Sequence, residues 1–377
     1  MSNKSFTISD QKRRVCILTT AHLPFDTRIF HKQAKTLAKA GYDVTLIAQH
    51  DRDEVVDGVK VIALPRPRNR FQRIFGLTWR VFRLAMRQKA DVYHFHDPEL
   101  IIMGIILKLF GKKVIYDVHE DVPKQIMNKG WLGNNQIRKF AAFTINIIEQ
   151  IGGLLFNKIV AATTDIARKF PENKTIFLRN FPILKLIDNV TPINYKKNKP
   201  IIIYAGKLTK IRGIKEIIQA MEYINSKTEL WIFGKWESEK FKKECENLEG
   251  WNNTRYLGFI SLNEVFLYMK IADIGLCLLH PTKNYITGLP TKSFEYMACS
   301  LPTVMSDFHY WQVLFEECAL FANPYNPKNI ADKIIYLLDK SNEAKKLGKK
   351  GRKLIEEKYN WEEESKKLIM LYNSFIK

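Results

Sequence analysis

Short apolar runs rich in Val, Ile and Leu alternate along most of the chain with longer stretches whose apolar positions return every three or four residues. The first pattern belongs to strands buried on both faces, the second to helices that cover them, and their alternation predicts parallel βα units. In the first half, strands are expected at 15–20, 42–48, 59–63, 91–95, 113–118 and 158–162. A helix at about 28–40 is stopped by Gly41, and an apolar helix separates 91–95 from 113–118.

The periodicity then lapses. A stretch with Pro182, Pro192, Pro200 and many Lys and Asn residues reads as a linker over 183–200, and the strand signal restarts at 201–205. Further strands are expected at 229–233, 254–257, 274–278 and 302–305, and helices at 213–223, 261–270, 291–298, 327–339, 342–358 and 361–376. The division is therefore a polar tail at 1–14, a first domain at 15–182, the linker, a second domain at 201–358 and a terminal helix at 359–377. The two halves match in architecture rather than in sequence.

A length of 377 residues, 46% hydrophobic, suffices for two domains with separate cores. Five scattered cysteines (Cys16, Cys245, Cys277, Cys299, Cys318) offer neither a disulfide framework nor zinc spacing, which fits a reducing cytoplasm. The tail has no apolar core and reads as no signal peptide. The longest apolar stretches, 100–110 and 140–156, are interrupted by Lys108 and by Glu149 and Gln150, short of the roughly 20 residues a membrane-spanning helix needs. A net charge of +21 calls for an anionic partner: nucleic acid, a phosphorylated substrate or an anionic lipid surface.

Three places carry candidate chemistry. After strand 201–205, the turn Gly206-Lys-Leu-Thr-Lys-Ile-Arg-Gly213 places Lys207 and Arg212 before a helix N-terminus, an arrangement suited to phosphate and equally to a basic surface loop. Downstream, Pro290, Thr291 and Lys292 open a helix, and Glu295 lies one turn in, where a carboxylate accepts vicinal sugar hydroxyls or is simply solvated. The segment Tyr116-Asp-Val-His-Glu-Asp121 ends a strand, where ligands of open α/β sheets bind, so His119 and Glu120 are candidates beside His96, Asp97, Asp26 and Arg28. Asp26 also suits a helix cap. Dinucleotide, Walker, nucleophile-elbow and zincin motifs are absent, and the pair Asp51 and Asp53 reads as a solvated turn.

Together, Asp26-Thr-Arg-Ile-Phe30, Phe95-His-Asp-Pro-Glu-Leu100, residues 116–121, 206–213 and 290–298, with Leu301-Pro-Thr-Val304, resemble glycosyltransferase family 4 over nearly the whole chain. The resemblance implies a GT-B fold, two Rossmann-like domains facing across a cleft, with the C-terminal helix crossing back to the N-terminal domain. It implies a retaining, metal-independent transfer from a nucleotide-sugar donor, UDP-sugar favoured over GDP-sugar, to a hydroxyl acceptor, with no cofactor beyond that co-substrate. In those terms Gly206, Lys207 and Arg212 hold the diphosphate and Glu295 the ribose, with Pro290, Thr291 and Lys292 beside it. Gly258, Phe259 and Ile260 meet the base, and His119 stands near the sugar, as a catalytic group with Lys207 and Arg212. Two departures follow: Thr287 replaces the first glutamate of the family's pair, and the first loop lacks its glycine pair.

Residues 65–90 hold seven arginines and Lys89 among aromatic and aliphatic residues, without Asp or Glu, and 124–140 adds Lys124, Lys129, Arg138 and Lys139 around Trp131. Both stretches suit an anionic membrane surface, the inner face of the plasma membrane, and a lipid-linked acceptor in cell-surface glycan synthesis; the rival reading is a core-packing helix with a basic outer face. The rival readings are a nucleotide-sugar epimerase of the same fold and a nucleic-acid-binding protein; without a nucleic-acid motif, no nucleic-acid partner is expected.

Overall fold

Burial on both faces organises the strands into two separate sheets in the computed structural model, which describes residues 12–127, 133–191, 195–224 and 227–375. The chain divides into a first unit of residues 1–180 with 364–377 and a second of 181–363.

The first unit holds β1 (Arg14–Leu18), β2 (Asp43–Gln49), β3 (Glu54–Val56), β4 (Val59–Leu64), β5 (Val92–Phe95), β6 (Lys113–Val118), β7 (Lys158–Ala161) and β8 (Thr175–Phe177). Their order is β3-β4-β2-β1-β5-β6-β7-β8. All pairs are parallel except the hairpin of β3 with β4. The chain runs outward from β1 through β2 to β4, then returns to β5 on the other side of β1, so the winding reverses between β1 and β5. Loops part at such a switch point and leave room for a ligand. The expected helix at 28–40 begins as wide π-helical turns (Thr27–Ala34) and tightens to α-helix over Lys35–Lys39. A helix of 21 residues, Asn135–Leu155, capped by the Asn134 side chain, covers the stretch read from sequence only as apolar.

The second unit holds β9 (Ile201–Ala205), β10 (Glu229–Phe233), β11 (Thr254–Tyr256), β12 (Ile274–Cys277), β13 (Thr303–Ser306) and β14 (Ala319–Ala322), in the order β11-β10-β9-β12-β13-β14 and parallel throughout. Here the winding reverses between β9 and β12. Apolar clusters cover both faces of this sheet. The edge strands β3, β8 and β14 escaped the sequence reading because three or four residues at a sheet edge carry too little period.

Two boundaries differ from expectation. The linker expected at 183–200 is in its first part a piece of the second unit: Leu184–Asp188 is helical, Ile187 is fully buried, and Asp188 pairs with Arg352 at 2.9 Å. A single helical turn among Pro, Lys and Asn has too few apolar positions to show a period; Pro192 lies outside the described residues. The terminal helix, Trp361–Asn373, changes unit at Glu364 rather than at 359. Trp361 N–H donates to Pro182 O at 2.8 Å, whereas Glu364 accepts from Arg179 N–H at 2.7 Å and Tyr372 Oη lies 2.9 Å from His94 Nδ1. Of the expected tail, 1–11 lie outside the described residues and β1 already begins at Arg14. Among the described residues no helix is long and apolar enough to cross a membrane.

Candidate functional site

In the second unit the chain leaves β9 and β10 through Gly206 (φ +145°) and Gly234 (φ +136°). Gly206 N–H donates to Phe233 O at 2.9 Å, and Gly234 N–H to Gly258 O at 2.8 Å, so the carboxyl ends of three strands are tied in a row. Gly234 admits no side chain, and one on Gly206 would be strained by the positive φ and would displace a lysine end. A Cβ on Gly234 would stand 1.8 Å from Gly206 O. One on Gly206 would stand 2.7 Å from Lys292 Nζ and 3.3 Å from Arg212 Nη1. Two cations thus converge on one bare stretch of backbone.

Arg212 arrives from the turn Lys210–Arg212, and Lys292 from the first turn of the helix Thr291–Ala298, which opens at Pro290 without a side-chain cap. Lys292 is 9% exposed; its Nζ has no hydrogen-bond partner and lies 3.5 Å from the Tyr204 ring centroid. Burial, and after it the Arg212 charge, push its pKa down to about 7. Burial works against the Arg212 charge as well, but Tyr204 and Tyr285 outweigh it and raise its pKa. Two adjacent cations, one buried and unpaired, are unfavourable alone and become favourable around an anion with several acceptor oxygens. The helix after Gly213, Ile214–Ala220, has only seven residues, so side-chain charge rather than a long helix dipole dominates.

The carboxyl ends of β1, β5 and β6 in the first unit enclose a cavity of about 210 Å³ lined by His22, Arg73, Glu99, His119, Glu120 and Gln125, among others. Asp97 holds the loop after β1, accepting from Thr19 Oγ1 at 2.7 Å and Ala21 N–H at 3.2 Å. His22 lies between Asp97 (3.5 Å) and Asp26 (3.7 Å), and these carboxylates overcome burial to raise its pKa. Beneath the cavity Asp117 is fully buried, gripped by Arg28 through Nε at 3.2 Å and Nη2 at 3.0 Å. His94 Nε2, His96 Nδ1 and His119 Nδ1 each lie 3.8 Å from its oxygens. Burial alone would raise the Asp117 pKa; Arg28 first, then His119 and His96, hold it well below the ordinary range. Burial drives His94 the other way, down to about 4.

Residues 188–354 match the family of glycosyl transferases group 1, and residues 27–147 match the glycosyl transferase 4-like domain. The chain is a glycosyltransferase, with a group 1 domain and a 4-like domain. The capsular polysaccharide biosynthesis glycosyltransferase CapM of Staphylococcus aureus is 23% identical over 330 residues, 77% of this chain and 84% of that protein. Sucrose-phosphate synthase of Thermosynechococcus elongatus superposes with a TM-score of 0.74 at 18% identity, covering 97% of this chain and 99% of that one. HepE of Anabaena, solved with UDP and glucose, superposes at 0.71 with 13% identity, covering 96% and 100%. The fold of the enzyme is the GT-B fold of these structures.

The expected site residues of this transferase separate into those that converge and those that build. Gly206, Arg212 and Lys292 meet at one point, with Glu295 one turn beyond Lys292 and half-buried. Lys207, the expected partner of Arg212, is exposed and only its carbonyl is engaged, accepting from Tyr204 Oη at 3.0 Å; Lys292 takes that place at Gly206. Gly258 anchors the neighbouring strand end, Phe259 is exposed beneath Lys235 Nζ at 4.6 Å, and Ile260 packs on the core. Thr287 is exposed, its hydroxyl donating to Lys283 O at 3.1 Å.

In the first unit His119 and Glu120 do line the cavity, as do His96 and Asp97. Arg28, expected on the acceptor side, is instead a buried counter-ion of Asp117, because a buried carboxylate needs a paired cation more than a hydroxyl acceptor does. Asp26 caps the following helix, accepting from Arg28 N–H at 2.8 Å and Ile29 N–H at 3.0 Å. His22, His94, Asp117, Tyr204 and Tyr285 were not singled out. Asp117 had a signal, a carboxylate inside an otherwise apolar strand; so did His94 and His96, two residues apart at the end of β5 and therefore on one side of the extended chain.

Among the described residues, His94, His96 and Asp117 are the one group of three or more potential metal ligands whose atoms all lie within 4.8 Å of one another. The carboxylate already carries the bidentate Arg28, and a divalent ion there would face that guanidinium in a fully buried setting. The group fits a structural ion-pair network better than a metal centre.

Proposed function

We propose that this enzyme moves a sugar from a nucleoside-diphosphate sugar to a hydroxyl acceptor, with retention at the anomeric carbon and without a metal ion. A UDP-sugar is the preferred donor, and the acceptor is a lipid-linked or polysaccharide intermediate of cell-surface glycan synthesis. The convergence of Arg212 and the unpartnered Lys292 on Gly206 carries this reading, since fixed cations beside bare backbone are complementary to a diphosphate. Names of relatives support the finer points: HepE was solved with UDP-glucose, and CapM is named for capsular polysaccharide biosynthesis.

In the transfer, the bond from the anomeric carbon to the diphosphate oxygen breaks and the acceptor oxygen bonds to that carbon on the same face. The hydroxyl proton passes to the departing phosphate oxygen. Charge grows on the diphosphate as it leaves, and Arg212 and Lys292, already in place, stabilise it most at that moment. The cavity with His22, His119 and Glu120 offers hydrogen-bonding groups to a sugar or acceptor hydroxyl.

A thermal-shift panel of UDP-, GDP-, ADP- and dTDP-sugars tests the donor. A UDP-sugar is expected to raise the melting point most, and Arg212→Ala to lower turnover about 10²–10³-fold. Failure of every nucleotide-sugar to shift the wild type, or near-normal turnover in Arg212→Ala, removes the reading; release of UDP without an acceptor points to an epimerase.

A further inference from the structure

The crossovers from β4 to β5, β5 to β6 and β6 to β7 all run the same way along the first sheet. Right-handed crossovers therefore lay their helices, Thr78–Gln88, Ile101–Leu109 and Asn135–Leu155, side by side on one face. The first packs on the second and the second on the third, with Val81, Leu107 and Phe156 in the core beneath.

The outer side of this layer is apolar where a solvated helix would be polar. Along Asn135–Leu155, Phe140, Phe143, Ile147, Ile151 and Leu154 recur every three or four residues and all are exposed, Phe140 by 72%. Leu109, 79% exposed, extends the stripe on the neighbouring helix. An apolar stripe of this length is more than scattered surface leucines.

Charge identifies what covers it. The three helices carry six lysines and arginines and a single carboxylate, Glu149. Glu149 is buried and accepts from Tyr116 Oη at 3.1 Å, so the exposed side of all three holds cations only. A second copy of the chain would oppose cation to cation with no carboxylate to answer them. An anionic bilayer answers both the charge and the apolar stripe.

The geometry points to this helical layer as a docking surface for an anionic lipid bilayer, with the helix Asn135–Leu155 lying in the plane of the headgroups. From Phe140 to Leu154 the helix presents about 20 Å of apolar edge. The basic stretch at 65–90 contributes the exposed Phe71, Phe75 and Trp79, but the longer stripe is that of Asn135–Leu155. Lys129 and Trp131 of the second basic stretch lie outside the described residues. The surface shares no residue with the donor site.

The test is co-sedimentation of the full chain with vesicles of phosphatidylcholine, alone or with about 30% phosphatidylserine, at low and high salt. Wild type is expected to pellet with the anionic vesicles at low salt and to be released as salt rises. The double variant Phe140→Asp/Ile147→Asp should lower the bound fraction at least about tenfold. Both residues are exposed, so the variant's melting point and its shift with UDP-sugar should stay at wild-type values. Absence of wild-type binding to either vesicle overturns the proposal, as does binding that the double variant retains. A wild-type dimer in light scattering that the variant abolishes, without vesicle binding, would make the layer a protein interface instead.

Discussion

Replacing Lys292 with methionine should make the ligand-free enzyme more stable and a worse binder of nucleotide. The Lys292 amine is buried without a hydrogen-bond partner, and its pKa falls from the ordinary 10.5 to about 7. At about 1.4 kcal/mol per pH unit, the folded state disfavours the charged form by about 5 kcal/mol relative to the unfolded chain. The contact with the Tyr204 ring returns at most about 2 kcal/mol, so desolvation wins. Methionine keeps much of the side-chain length without the charge, and Lys292→Met is expected to gain about 2–4 kcal/mol at pH ~7.

The gain must shrink with pH in a definite direction. Between about 7 and 10.5 the unfolded chain holds a proton that the folded chain has released, so wild-type stability rises with pH through that window and approaches that of the variant. The difference should decline by about 1.4 kcal/mol per pH unit there and stay constant below it. Urea unfolding of both proteins at pH ~7, ~8 and ~9 measures it. In parallel, UDP affinity should fall about 10–100-fold, the loss of one charge-assisted contact. A variant less stable than wild type at every pH, with UDP affinity unchanged, would show that Lys292 serves packing alone and would refute the argument.

Other consequences are equally direct. Asp117→Asn strands the buried Arg28 and should cost about 3–5 kcal/mol in urea unfolding, much of it recovered in Asp117→Asn/Arg28→Met. Gly206→Ala combines a positive φ with a Cβ pressed on Lys292 Nζ; calorimetry should show UDP affinity lowered more than about tenfold, and unfolding a loss of about 1–3 kcal/mol. Burial pushes the Glu149 pKa from 4.5 up to about 7, only partly opposed by the Tyr116 hydroxyl. A folded-state pKa raised in a carboxylic acid means stability present at low pH and lost as pH climbs from about 4.5 to about 7. Glu149→Gln should flatten that decline, read from melting points across the range.

The strands and helices were legible along the chain because burial repeats with a local period: two faces of a central strand are hidden, one face of a covering helix is hidden, and composition follows. The parallel units, the restart at Ile201, the glycine turn at Gly206 and the helix opening at Thr291 all have that local cause. Residues 183–191 and the edge strands β3, β8 and β14 did not show, since one turn or three to four residues carry little period. Which cations meet at Gly206 was decided only in three dimensions. Lys207 and Arg212 are neighbours in sequence, yet the residue that joins Arg212 at Gly206 is Lys292, delivered by a different helix at the carboxyl edge of the sheet. Arg28 likewise reads as a free cation until β6 sets Asp117 against it, 89 residues away. Periodicity reports how much of a side chain is hidden, whereas partnership depends on where strands end, and strand order is a property of the folded sheet.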